Sequence, residues 1–195
     1  MNKSTFKFTV RDITEIAIFT ALAIIFDRFV KIEIGATGGS LNISLVPIFI
    51  ICLRHGWFKG FVVGGLVYAI ICCLLDMYGI QTFPLEYFIA YGSTCLLGLF
   101  ANYINKNYGK SVAKTIICYV IVAAVIMVWG VIRFFAASID SVIFYALTFK
   151  EAFAYNAGYV FSSAAADAVI MCLLLHFIIN LNKIYVTSYL NGTNK

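Results

Sequence analysis

Residues 112–138 read VAKTIICYVIVAAVIMVWGVIRFFAAS, an apolar run in which charge appears only at Lys114 and Arg133. A helix of about 20 such residues covers the roughly 30 Å of hydrocarbon in a bilayer. Working outward, runs of the same character occupy 12–29, 41–54, 57–77, 84–104 and 153–181. Of the 195 residues 63% are hydrophobic and 12% charged, and the mean hydropathy is +0.96. A soluble domain carries about 25% charged residues to keep its surface wet, so the solvent for this chain is lipid. The sequence predicts an all-α membrane protein with six transmembrane helices, forming a single integral membrane domain over 1–195. The run 41–54 is short, and its Pro47 is expected to bend it or free a carbonyl. The first run follows Lys3, Lys7 and Arg11 as a signal peptide would, but no small-residue cleavage site ends it, so it reads as the first span.

The basic residues test this assignment independently of hydrophobicity. Lys3, Lys7, Arg11, Arg54, Lys59, Lys106, Lys110, Lys114, Lys183 and Lys195 fall on one side of the six runs, and Arg28, Lys31 and Lys150 on the other. Positive charge is retained in the cytoplasm, so both termini are expected there. The net charge of +5 is thus a matter of topology and implies no nucleic-acid partner. Asp27, Glu33, Asp76, Asp140 and Glu151 lie in or beside the outer loops. An acidic outer mouth would gather cations; equally, acids collect there because Lys and Arg are held inside.

Six cysteines, all within apolar runs, form no C-x-x-C pair, and a structural packing role is expected, with no metal and no cofactor. No phosphate-binding glycine loop, H-E-x-x-H or G-x-S-x-G motif occurs, so no catalytic residue is assigned and any ATP must be used by another subunit. His55 and His176 lie near cytoplasmic helix ends, where a structural role is expected.

Ionisable groups at membrane depth are costly and mark sites by default. Glu86 follows Pro84 in the first turns of the fourth run, placed either to meet a ligand cation or to complement its own helix N-terminus. Arg133 and Asp167 stand on antiparallel runs at similar depth and are expected to form a structural ion pair. Tyr87, Tyr145 and Tyr155 lie near the outer ends of the fourth, fifth and sixth runs, beside Glu86 and Asn156. Ring faces, a carboxylate and an amide would suit a flat cationic ring; the alternative is an ordinary interfacial aromatic belt. Ala17 and Ala21 form an A-x-x-x-A ridge that lets another helix approach, here a partner protein, whereas the small residues Ala157 to Ala166 suit internal packing.

These residues carry a resemblance. Glu15-Ile-Ala-Ile-Phe-Thr-Ala-Leu-Ala23, Gly38-Gly-Ser-Leu41, Leu45-Val-Pro-Ile-Phe49, Leu53-Arg-His-Gly56, Phe83-Pro-Leu-Glu-Tyr-Phe-Ile-Ala-Tyr91, Arg133 to Tyr145 and Tyr155-Asn-Ala-Gly158 resemble the thiamine-specific substrate-binding (S) component of energy-coupling factor (ECF) vitamin transporters. The resemblance implies substrate contacts at Glu86, Tyr87, Tyr145, Tyr155 and Asn156. It also implies a lid over Ile32 to Leu41, and docking of a coupling membrane subunit, with its two ATPases, on Ala17 and Ala21. Ala137 stands where the family has His, and Tyr145 where it has Trp. The implied ligand is therefore thiamine or a related cationic vitamin, taken from outside at the bacterial plasma membrane, with membrane lipid as the solvent. Alternatives are an S component for another vitamin or a thiamine precursor, an autonomous secondary transporter, or a membrane enzyme.

Overall fold

The structure, a computed structural model, describes residues 8–34 and 39–192, with side chains placed over 8–30 and 41–183. Lys3, Lys7 and Lys195 of the basic set, and residues 35–38 of the expected lid, lie outside the described residues.

Helix α1 (Val10–Phe29) opens with a reciprocal capping box: Asp12 N–H donates to Thr9 Oγ1 at 3.2 Å and Thr9 N–H donates to Asp12 Oδ2 at 2.9 Å. Strands β1 (Lys31–Ile34) and β2 (Gly39–Asn42) then pair antiparallel, Lys31 opposite Asn42. Helices α2 (Val46–His55), α3 (Trp57–Asp76), α4 (Ile80–Asn107), α5 (Val112–Phe144) and α6 (Phe149–Gly192) follow. Helices α3 to α6 are each long and apolar enough to cross a membrane; α2 is a shorter apolar helix.

The helical class holds, with corrections at the boundaries. Residues 41 and 42 belong to the hairpin and not to the expected run 41–54, because they complete its ladder with residues 31 and 32. Pro47 lies in the first turn of α2, where a missing N–H leaves no hydrogen bond unmade, so it starts this helix without bending it. Helix α5 continues past 138 to Phe144 and carries Asp140 into the helix. Helix α6 begins at Phe149 because Thr148 and Glu151 cap it, Thr148 N–H donating to Glu151 Oε2 at 3.0 Å.

Two long helices contain wide π-type turns, Val62–Tyr68 in α3 and Phe83–Ile89 in α4, a geometry that collects at functional sites. Where α3 meets α4 the backbones touch: a Cβ at Gly64 would stand 2.7 Å from the Tyr91 carbonyl oxygen, and one at Gly65 3.0 Å from Gly92 Cα. On the other side, a Cβ at Gly130 of α5 would stand 2.9 Å from Ala164 Cβ of α6. Of the small residues of α6, Ser163 and Ala164 are buried and serve internal packing as expected, whereas Gly158, Ser162 and Ala165 are exposed.

The helix directions alternate, which gathers opposite chemistry at opposite ends. At the basic end, Lys59 Nζ donates to Asp12 Oδ2 at 2.8 Å, Arg54 pairs with Glu15, and His55 sits 3.4 Å from both Asp12 Oδ1 and Glu15 Oε2. Asn182 joins this group, accepting from Arg54 Nη1 at 2.9 Å and donating to Asn105 Oδ1 at 2.7 Å. His55, which has no carboxylate near it in sequence, is thus a structural bridge, and His176 contacts the Tyr108 hydroxyl at 3.3 Å.

Both Asp12 and Lys59 are almost wholly enclosed, and breaking a buried pair strands the surviving charge. Lys59→Ala should lower unfolding stability in detergent by about 3 kcal/mol. The double change Lys59→Ala with Asp12→Ala should recover part of that loss. Additive losses in thermal unfolding would show that the two side chains do not couple.

Candidate functional site

The acidic end is built on the wide turn of α4. Pro84 enters that turn near its start, and the turn carries Glu86 and Tyr87 on adjacent positions that point differently. Tyr87 is buried, and its hydroxyl donates to Asp76 Oδ2 at 2.9 Å. Asp76 Oδ1 accepts from Arg28 Nη2 at 2.7 Å, and the same nitrogen lies 3.3 Å from Asp27 Oδ2. Asn42 Nδ2 donates to Asp27 Oδ1 at 3.3 Å, while Asn42 N–H donates to Ser163 Oγ of α6 at 3.3 Å. A continuous polar line thus runs from the last residue of the hairpin, through the end of α1, to the turn that holds Glu86.

Glu86 is half-buried, and the charges that reach it are those of Arg133, Asp140 and Asp76. Arg133 is held by ring faces: its guanidinium carbon lies 5.5 Å from the Tyr91 centroid and 5.6 Å from that of Trp129. These are cation–π distances. Trp129 is itself fixed, its Nε1–H donating to the Ala90 carbonyl at 2.8 Å. The expected structural ion pair with Asp167 is corrected here. The two charges sense one another, but the guanidinium is taken up by rings, and Asp167 Oδ1 accepts no hydrogen bond.

From α6, Asn156 is buried and reaches α5, its Nδ2 donating to Ser141 Oγ at 3.1 Å and to Ser138 Oγ at 3.4 Å. Its Oδ1 accepts from the Tyr159 hydroxyl at 2.7 Å. Tyr159 packs against Tyr155 with centroids 5.4 Å apart, and lies within electrostatic reach of Glu86, Arg133 and Asp140. Tyr145, immediately past α5, is 47% exposed, meets the Tyr78 ring edge-on at 6.4 Å, and lies within reach of Asp140 and Glu86.

The arrangement therefore brings Glu86, Tyr145, Tyr155 and Asn156 into one neighbourhood, with Tyr159 as the link. Tyr87 faces the polar line instead. Sequence reasoning missed Tyr159, whose signal was its spacing of three from Asn156 and four from Tyr155, placing all three on one stretch of helix surface. It also left Asp140 in a loop. Ala17 and Ala21 lie on the exposed face of α1 beside Ile18 and Ile25, whereas Ala23 is fully buried. Among the described residues no His, Cys, Asp and Glu group is arranged to hold a metal ion.

Long apolar helices with carboxylates, an amide and ring faces toward one end define a multi-pass membrane protein. Residues 13–186 match the thiamine transporter protein (Thia_YuaJ) model, and the chain belongs to that family. It is 31% identical over 172 residues to the thiamine transporter ThiT of Bacillus subtilis (strain 168), covering 82% of this chain and 88% of that protein. A solved structure of ThiT from Listeria monocytogenes has the same fold, with TM-score 0.73 at 21% identity over 89% of this chain and 97% of the other. Membership makes this a transporter-family protein of the bacterial membrane and not an enzyme.

Tyr87→Phe removes one donor from Asp76 and leaves Arg28 in place. Loss of a hydrogen bond to a charged group should cost about 1.5–3 kcal/mol, read as a lowered midpoint of thermal unfolding of the ligand-free protein. An unchanged midpoint would mean that water replaces the hydroxyl without loss.

Proposed function

We propose that this chain is the substrate-binding subunit of an ECF-type importer and captures thiamine with high affinity from outside the cell. In this reading α1 to α6 all cross the membrane, both termini are cytoplasmic, and residues 1–195 form one substrate-binding domain. Glu86 meets the positive charge or the amine of the ligand, Tyr145 and Tyr155 supply ring faces, and Asn156 fixes orientation. Tyr87 braces the turn. A coupling membrane subunit docks on Ala17 and Ala21, and its two ATPases provide the energy.

What supports this reading is that the Tyr159 hydroxyl bonds Asn156 Oδ1 at 2.7 Å while Tyr159 and Tyr145 both lie within electrostatic reach of Glu86, at the end of the bundle away from the basic residues. Family membership supports the substrate, and the exposed alanine ridge supports the docking face. A second reading, capture of another vitamin or of a thiamine precursor, draws on Ala137, which is buried and offers no imidazole.

Calorimetry on the purified protein tests the substrate: thiamine should bind at micromolar concentration or tighter, and Glu86→Gln should weaken binding by roughly tenfold or more with the fold intact. Tighter binding of the thiamine pyrimidine moiety than of thiamine would favour the second reading. The coupling is tested separately, by enlarging the ridge. Ala17→Leu with Ala21→Leu should abolish ATP-dependent uptake in vesicles holding the complete complex while leaving thiamine binding unchanged. Uptake without any ATPase partner would overturn the ECF assignment in favour of an autonomous transporter.

A further inference from the structure

Two carboxylates toward the acidic end, Asp140 and Asp167, bury an oxygen that accepts no hydrogen bond, and of the two Asp167 has the charge of Arg133 within reach. Asp140 lies on the last turns of α5 and is 2% exposed, yet its Oδ1 accepts no hydrogen bond. The acids of the polar line, by contrast, are answered: Asp27 by Asn42, and Asp76 by Arg28 and Tyr87. Enclosing a carboxylate without a partner costs several kcal/mol, so a group kept in that state is held for something that arrives later.

Its surroundings say what arrives. Ser138 and Ser141 flank Asp140 in sequence, and both hydroxyls are turned to Asn156, so the flanking hydroxyls are engaged with the site amide. Ala137, one turn earlier, is buried and apolar. Asp140 lies within electrostatic reach of Tyr145, five residues on, and of Glu86 and Tyr159. Arg133 is the cation that reaches Glu86, and its guanidinium is engaged with Tyr91 and Trp129.

We propose that Asp140 is a second anionic contact for the bound cation, so that the ligand is held between two carboxylates, Glu86 and Asp140, with Tyr145 beside them. This rests on the binding site described under Proposed function and assigns to it a specificity residue. Two like charges sharing an enclosed space repel, and a cationic ligand relieves that repulsion while a neutral molecule of the same shape does not. Discrimination for positive charge, with no imidazole at position 137, then comes from the carboxylate one turn on.

The test uses Asp140→Asn, which keeps size and hydrogen-bonding capacity and removes the charge. Calorimetry is run with thiamine and with an analogue in which an uncharged ring replaces the thiazolium. The variant should bind thiamine on the order of tenfold more weakly and the neutral analogue within about twofold of the parent. Without ligand, it should unfold about 2 °C or more above the parent, because the repulsion is gone. Unchanged thiamine affinity, an equal loss for both ligands, or a lowered ligand-free midpoint would each overturn the proposal and leave Asp140 as a scaffold residue. A parent chain that binds neither ligand would sink the proposed function alone, and the ligand-free midpoint would still decide Asp140, upward in support and downward against.

Discussion

A charge held among apolar helices must be answered by an opposite charge, a donor or a ring face, since hydrocarbon offers no water to do it. That requirement orders this molecule along its length. At the basic end each charge has an opposite charge beside it: Lys59 meets Asp12, Arg54 meets Glu15 and Asn182, and His55 lies 3.4 Å from both acids. In the middle, Arg133 is met by the faces of Tyr91 and Trp129. At the acidic end the answers run short, with unpartnered oxygens on Asp140 and Asp167 and a half-buried Glu86. Charges are thus paired at one end, while at the other carboxylates such as Asp140 stand without a bonded cation, the feature on which the proposed binding site rests.

The hairpin is fastened to that same end by side chains and not only by the chain that connects it. Asn42 bonds Asp27 on α1 and Ser163 on α6, and Asp27 shares Arg28 with Asp76, which in turn receives Tyr87. The stem of β2 and the turn bearing Glu86 are therefore braced against one point, the C-terminal end of α1. Helix α1 also bears Ala17 and Ala21 on its exposed face, so one helix joins the hairpin, the carboxylate turn and the alanine ridge.

Much of the fold was legible because lipid imposes a crude and strong rule: long apolar runs become helices, and the four longest did so with shifts confined to their ends. What the rule does not see is polar structure. The hairpin at 31–42 has little hydrophobic signal, and its ladder is a matter of backbone pairing. The extension of α5 to Phe144 was hidden because Asp140 reads as a loop residue when hydropathy alone is counted. At the candidate site, Glu86 and Asn156 were singled out from the sequence, since a charged or amide group at depth attracts notice by itself. Tyr159 was not, because one tyrosine among 12 looks like any other until its hydroxyl is seen on Asn156 Oδ1. The Arg133–Asp167 expectation failed for a related reason: opposite charges at equal depth suggest a pair, but aromatic faces compete for guanidinium as well as carboxylates do.

The glycine seam between α3 and α4 leaves no slack where the backbones touch at Gly64, Gly65 and Gly92. Helix α4 carries Glu86, so the carboxylate is anchored to a wall that cannot yield by even one methyl group. Any larger residue at this seam would therefore displace the helix that bears Glu86. Positions 137, 140 and 145 stand on or just beyond α5, outside that seam, so change there leaves the backbone contact of α3 and α4 untouched.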